Sequence, residues 1–187
     1  MKTLKTLIVA VLAVSFFSFT VLTEKKVNVE KSTINWTGKK VTGQHEGTIA
    51  LESGVLEFDG DKLVGGEFVI DMTSINVTDL EGKSKNSLEG HLKSDDFFGV
   101  EDHETASLKI TKVSKQYTDY EISGDLTIKG ITNPINFSMV VGDNSAKANL
   151  TIDRSKFDVR YGSPSFFNDL KDKAIYDDFD LKVNLVY

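Results

Sequence analysis

Few side chains in this chain could do chemistry, and their spacing limits what that chemistry would be. Of the three histidines, His45, His91 and His103, His91 stands four residues before Asp95. On a helix that spacing puts imidazole and carboxylate on one face. Joined by a distant His45, they would make a three-ligand metal site with an open position, the arrangement of a metal-assisted hydrolase. The competing reading is a histidine that hydrogen-bonds where a helix meets a barrel. His45 and Glu46 are adjacent, so on a strand they point to opposite faces and cannot share an ion. No G-x-S-x-G is present, Ser163-Pro164-Ser165 has no evident base, and Gly65-Gly66 makes neither a phosphate loop nor a dinucleotide fingerprint. The carboxylate pairs Asp95-Asp96 and Asp177-Asp178 are sequence neighbours, the usual sign of a solvated turn. The two arginines, Arg154 and Arg160, flank Lys156 at even spacing. A strand would set these three on one side and Phe157, Val159 and Tyr161 on the other. Such a stripe either holds an anionic head group or is a solvated outer face diluted by Asp158. The expectation is a binding protein and not an enzyme, with no catalytic and no metal-ligating residues assigned.

Composition narrows the classes further. The 187 residues include 22 basic and 28 acidic side chains, a formal charge of −6, and no cysteine. That removes a disulfide scaffold, a thiol nucleophile, cysteine-held metal and an anchor through an N-terminal cysteine. An acidic chain argues against nucleic acid as a partner, and 40% apolar content is too high for disorder. Part of that content sits at the start. Lys2 and Lys5 precede an apolar stretch from Leu7 to Phe19, which gives way to Thr23-Glu24-Lys25-Lys26, the layout of a secretory signal peptide. The stretch is shorter than the roughly 20 apolar residues of a membrane span and is interrupted by Ser15 and Ser18. The expectation is therefore a leader over residues 1–23 and one exported domain over 24–187, periplasmic or secreted. Losing Lys2 and Lys5 but no acid takes the charge from −6 to −8.

The elements that must position any site read as strands. Ile34 and Trp36 share one parity in Ser32–Lys40. Tyr120, Ile122, Gly124, Leu126 and Ile128 share one in Val113–Ile128. Ile135 to Val141, Ala146 to Ile152 and Phe179 to Tyr187 alternate in the same way, as half-buried antiparallel strands do. Asp59-Gly60-Asp61, Gly130 to Pro134 and Gly142-Asp143-Asn144 supply turn chemistry, with Pro134 expected to open a strand and not to sit inside one. Two segments read as short helices: Asn86–Phe98, and Pro164–Lys171 capped by Ser163. Frequent short strands point to an antiparallel sandwich or barrel. The long, one-sidedly apolar last strand must be paired on both sides or covered. Twelve phenylalanines, five tyrosines and one tryptophan could line such a barrel or fill it.

Several motifs then fall in order: Trp36-Thr37-Gly38-Lys39, His45-Glu46-Gly47, Phe68 to Ile75, Gly90 to Phe98, and Gly124 to Gly130. Together they resemble the YceI-like family of bacterial exported proteins, from about Lys31 to Tyr187. After Phe98 the chain departs from the family, with Gly99 and His103-Glu104 where an acidic residue and a Tyr-Pro pair are common. The resemblance implies an all-β fold, an extended antiparallel lipocalin-like barrel of about eight strands with one or two short helices. It further implies a polyisoprenoid or other long-chain amphiphile held in an apolar pocket, frequent homodimers, transient contact with a membrane surface, and no catalytic site. An isoprenoid quinone, a polyprenyl phosphate or a fatty acid would fit, as bound ligand and not as cofactor; a charge of −8 sits poorly with a pyrophosphate. By parity the pocket wall is expected at Trp36, Phe68, Ile70, Phe97, Phe98, Leu126, Ile128 and Phe137. By family position the head-group candidates are His45, Asp71, His91 and Lys93. The alternatives are the hydrolase built on His45 and His91 and a solid-barrel interaction module for envelope stress.

Overall fold

The computed structural model describes residues 22–187, so residues 1–21 of the expected leader lie outside the described residues. Nine antiparallel strands are present among the described residues: β1 (Leu22–Lys26), β2 (Thr33–Lys40), β3 (Gly43–Asp59), β4 (Lys62–Val77), β5 (Thr105–Gln116), β6 (Asp119–Ile128), β7 (Ile131–Val141), β8 (Ser145–Asp153) and β9 (Ile175–Val186). Each strand from β2 to β9 pairs with its sequence neighbours, and β9 returns to β2. This closes an eight-stranded up-and-down barrel, which leaves no free edge on the last strand. β1 lies outside the ring and pairs with the distal half of β3, from Leu22↔Asp59 to Lys26↔Val55.

The two ends of the barrel differ. At the base, Leu56, Phe58, Leu63, Tyr120, Ala146 and Leu185 are buried together and plug the interior. At the mouth, the strand ends are joined by the tight β2–β3 and β6–β7 hairpins and by the one α-helix among the described residues, α1 (Gly82–Lys93). α1 is tied to the end of β4, because Glu89 Oε1 accepts from Val77 N at 2.8 Å and Lys85 Nζ donates to Asn76 Oδ1 at 2.8 Å.

Several local expectations need correction. Val113–Ile128 is not one strand, since the chain reverses at Tyr117 and Thr118, with Tyr117 at φ 52°. The helix begins earlier than Asn86 and stops at Lys93, where Ser94 N bonds back to the carbonyls of Gly90 and His91. His91 and Asp95 therefore do not share a helical face. Pro164–Lys171 forms no helix; a single 3-10 turn follows at Lys171–Lys173. Ser163 is fully buried there, and its Oγ accepts from Ser165 N at 3.2 Å. Pro134 sits inside β7, opposite Asp125 of β6. It is tolerated because β7 registers with β8 only from Met139 to Val141, so at Pro134 one flank of the strand needs no N–H donor.

The basic stripe is also absent. β8 ends at Asp153, and Arg154–Phe157 is a 3-10 turn, so Arg154, Lys156 and Arg160 do not share a strand face. Arg154 is 2% exposed, whereas Lys156 and Arg160 are in solvent. The turn fills the space where β7 and β8 part: Phe157 is buried, and Asn133 Nδ2 donates to Lys156 O at 2.9 Å.

Candidate functional site: an apolar cavity along the barrel

Alternation sends every second residue of each strand inward, and the barrel does not fill with them. An elongated cavity of about 190 Å³ runs from Leu185, Met139 and Phe68 near the base to Phe179, Ile175 and Leu92 at the mouth. It exceeds the roughly 150 Å³ apolar void that accepts benzene in an engineered core. On β9 alone its lining extends from Leu185 to Ile175, roughly 30 Å of strand at the usual rise per residue. The described lining includes two charged side chains, Lys39 and Arg154, and no carboxylate. Such a space suits a long hydrocarbon chain, each methylene of which contributes about 0.8 kcal/mol when it leaves water.

The structure places Trp36, Phe68, Ile70, Phe97, Phe98, Leu126, Ile128 and Phe137 together around this cavity. The Trp36 ring is fixed against the neighbouring strand β3 by its indole N–H, which donates to Thr48 O at 3.1 Å. Phe97 and Phe98 come from the turn after α1 and meet edge to face at 5.0 Å, and Phe98 packs in the same way on Phe179 at 6.4 Å. These rings form the roof. None of the four head-group candidates belongs to the lining. Asp71 turns back to accept from Thr73 N and Oγ1 at 2.9 and 2.6 Å. Lys93 ends the last turn of α1. His45 and His91 both line a shallow outer groove, with Leu80, Lys83, Ser84, Ser87 and Leu88. His45 Nδ1 is 2.8 Å from Asp79 Oδ2, and His91 lies edge-on to Tyr161 at 4.4 Å. Asp95 is not part of that groove, and no group of three His, Asp or Glu side chains among the described residues is placed to hold a metal ion.

The polar residues at the mouth are instead Lys39, Arg154 and Tyr176. The guanidinium of Arg154 donates from Nε to Tyr176 O at 3.1 Å, from Nη1 to Val159 O at 2.8 Å and from Nη2 to Ile175 O at 3.0 Å. It lies 5.2 Å from the centre of the Phe97 ring, and Nη2 is 3.6 Å from Asp177 Oδ1. Burial pulls its pKa down, partly opposed by the carboxylates of Asp177 and Asp153. The last registered β8–β9 pair is Asp153↔Asp178, so Arg154 takes the next carbonyls of β9 where β8 has ended. Strand parity missed this residue. The signal that could have found it is Asp153-Arg154-Ser155, an Asx turn in which Asp153 Oδ1 accepts from Ser155 N and Oγ at 3.0 and 2.6 Å and diverts the backbone from the sheet.

The mouth opens along the β2–β9 seam. Gly38 pairs with Phe179 but Lys40 with Ile175, so two steps of β2 face four of β9 and the seam bulges outward. Lys39 and Tyr176, which flank the bulge, line the cavity and are also 45% and 49% exposed. Lys39 Nζ bonds Asp180 Oδ2 at 2.6 Å, and Thr151 Oγ1 donates to Asp180 Oδ1 at 2.7 Å. Those two bonds hold the Asp180 carboxyl below the ordinary carboxylate range. At Asp79 burial pushes the pKa up, but the His45 bond and the Glu46 amide outweigh it, and the result is again a lowered value. A carboxyl with a depressed folded pKa binds fewer protons than in the unfolded chain. Its stabilisation is complete above the unfolded value of about 3.9 and is lost as pH falls through the folded value. Thermal midpoints should accordingly drop below about pH 4, and Asp180→Asn should flatten that acid limb; an unchanged limb would count against the seam lock.

The fold and cavity define a class: a lipocalin-like antiparallel barrel with an apolar interior. The chain belongs to the YceI-like domain family, whose model matches residues 26–187. Among solved structures it is similar to BcnA of Burkholderia cenocepacia, with a TM-score of 0.70 and 23% identity over 86% of this chain and 99% of that one. It is also similar to a polyisoprenoid binding domain from Saccharophagus degradans implicated in plant cell wall breakdown, with a TM-score of 0.58 and 14% identity over 88% and 97%. These likenesses concern the fold. Its relatives include a UPF0312 protein of Staphylococcus aureus strain MRSA252, 49% identical over 51 residues that span 27% of this chain and 28% of that protein. A UPF0312 protein of Staphylococcus epidermidis is 30% identical over 128 residues, 57% of this chain and 65% of the relative. The match thus covers less than two thirds of either staphylococcal protein.

Proposed function

We propose that this protein is an exported carrier or reservoir for a long-chain isoprenoid-type lipid, and that it binds without catalysing a reaction. The observation that carries this reading is the continuous apolar cavity inside a closed barrel, with Lys39 and Tyr176 where it meets solvent. A solid-barrel interaction module would place side chains in that space. The polyisoprenoid-binding description of the Saccharophagus domain supports the same reading. Export rests on the basic and apolar layout of residues 1–23, and homodimerisation on the family resemblance. A brief contact with a membrane surface is supported by exposed Tyr176 at the opening and exposed Phe166 and Phe167 on the adjoining loop, since aromatic rings sit well at the boundary of lipid and water.

Native mass spectrometry of protein purified under mild conditions from its own envelope fraction should show the mature chain plus the mass of a long-chain lipid. The lipid should be extractable into organic solvent and rebind in equimolar amount. A preparation that never carries or takes up such a lipid would overturn the proposal.

A further inference from the structure

Both cations that line the cavity are already answered by a carboxylate. Lys39 is bonded to Asp180 at 2.6 Å, and Arg154 Nη2 stands 3.6 Å from Asp177 Oδ1. Asp153, one residue before Arg154, adds a second negative charge near the guanidinium. An anionic head group inside the cavity would therefore find no lining cation that lacks a carboxylate partner. The carboxylates stand behind the lining and act on a head group by neutralising the cations it would touch. Hydrogen-bonding capacity is a different matter. A guanidinium carries five N–H donors, and Arg154 commits three of them to the carbonyls of Tyr176, Val159 and Ile175. The second N–H of Nη1 is left without an acceptor, and that of Nη2 has only Asp177 Oδ1 at 3.6 Å, on a side chain that borders the cavity beside Phe97. These can donate to the lone pairs of an uncharged oxygen.

We infer that the Arg154–Asp177 pair is the head-group subsite and that it selects an uncharged, oxygen-bearing head over an anionic one. The inference rests on the lipid-carrier reading and deepens it by naming the head-group class. Arg154 supplies the donors. Asp177 acts through Arg154, by cancelling the charge that would otherwise attract a phosphate or carboxylate. Asp177 is itself positioned by Ser165, whose Oγ donates to Asp177 Oδ2 at 2.7 Å, and an asparagine at 177 can keep that bond.

The test uses three probes with the same isoprenoid tail: a prenyl quinone, the prenol and its monophosphate. Their dissociation constants are read from the quenching of Trp36, the one tryptophan and part of the cavity lining. The mature wild-type chain should bind the quinone and the prenol at least tenfold more tightly than the monophosphate. Asp177→Asn should shift that ratio at least tenfold toward the monophosphate, while the uncharged probes move little. A wild-type preference for the monophosphate would overturn the inference, and this measurement does not depend on any variant folding. So would an unchanged ratio in a folded Asp177→Asn. If none of the three probes binds, the carrier reading itself fails, a result distinct from binding without head-group preference.

Discussion

Gly38→Phe is expected to weaken lipid binding roughly 200-fold while leaving the barrel folded. Gly38 borders the cavity at the bulged end of the β2–β9 seam, and a Cβ built on it meets nothing within 4 Å. A side chain there has room to grow only into the cavity and its opening. The backbone does not resist the change, because Gly38 is not among the glycines with positive φ. Replacing a strand glycine should even stabilise the chain by roughly 0.5 kcal/mol through reduced freedom of the unfolded state. A benzyl group at the mouth would displace about four methylenes of ligand, about 3 kcal/mol at the usual value per methylene, or roughly 200-fold in affinity. Gly38→Ala adds one methyl and should bind within a fewfold of wild type, so the pair grades the effect by volume. Titration of a prenyl quinone against both variants, with thermal melts alongside, measures it. Wild-type affinity in a folded Gly38→Phe would mean that the ligand does not use this opening.

The contrast between what parity revealed and what it missed has a physical basis. Trp36, Phe68, Leu126 and Phe137 reach the cavity because they sit on strands whose period of two carries inward facing from one residue to the next. Closure followed from the same pattern, since a last strand alternating from Phe179 to Leu185 must be paired on both flanks, and β9 is paired with β8 and β2. Parity holds only while the chain stays in the sheet. It lapses after Asp153, where an Asx turn diverts the backbone, so Arg154 is buried at the mouth and does not continue an outer stripe. It lapses again in β9, where the bulge opposite Gly38–Lys40 depends on how two distant strands meet and leaves no local signature. The outer histidine pair shows the reverse case. His45 and His91 share a groove, as the three-ligand metal reading required of them, yet α1 lies between that groove and the cavity roof, with Leu88 facing one and Leu92 the other. Positions four apart on one helix can thus serve different surfaces, and only the packing of α1 on β4 decides which.

Gly47→Val should produce the opposite phenotype to Gly38→Phe, a large loss of stability. Gly47 is registered with Trp36 of β2 on one side and Val77 of β4 on the other. A Cβ built on it falls inside van der Waals contact with the backbone oxygen of Asn76 and with the six-membered ring of Trp36. The Asn76 oxygen belongs to β4 and cannot rotate away as a side chain would, so β3 and β4 must separate to admit even a methyl group. The requirement is for close approach and not for an unusual backbone angle, since Gly47 is not among the positive-φ glycines. Overpacking of this kind costs about 3 kcal/mol, and in a domain of this size that lowers the thermal midpoint by about 6–12 °C. Trp36 would be pushed off Thr48 O, its hydrogen-bond acceptor, and its emission should shift to the red as the indole meets water. Calorimetry and tryptophan fluorescence on the same samples give both readouts. A Gly47→Val protein with wild-type midpoint and emission would show that the β2–β3–β4 contact is looser than this geometry requires. The expected result instead ties the motif His45-Glu46-Gly47 to a structural duty: its glycine seats the tryptophan that forms part of the cavity wall.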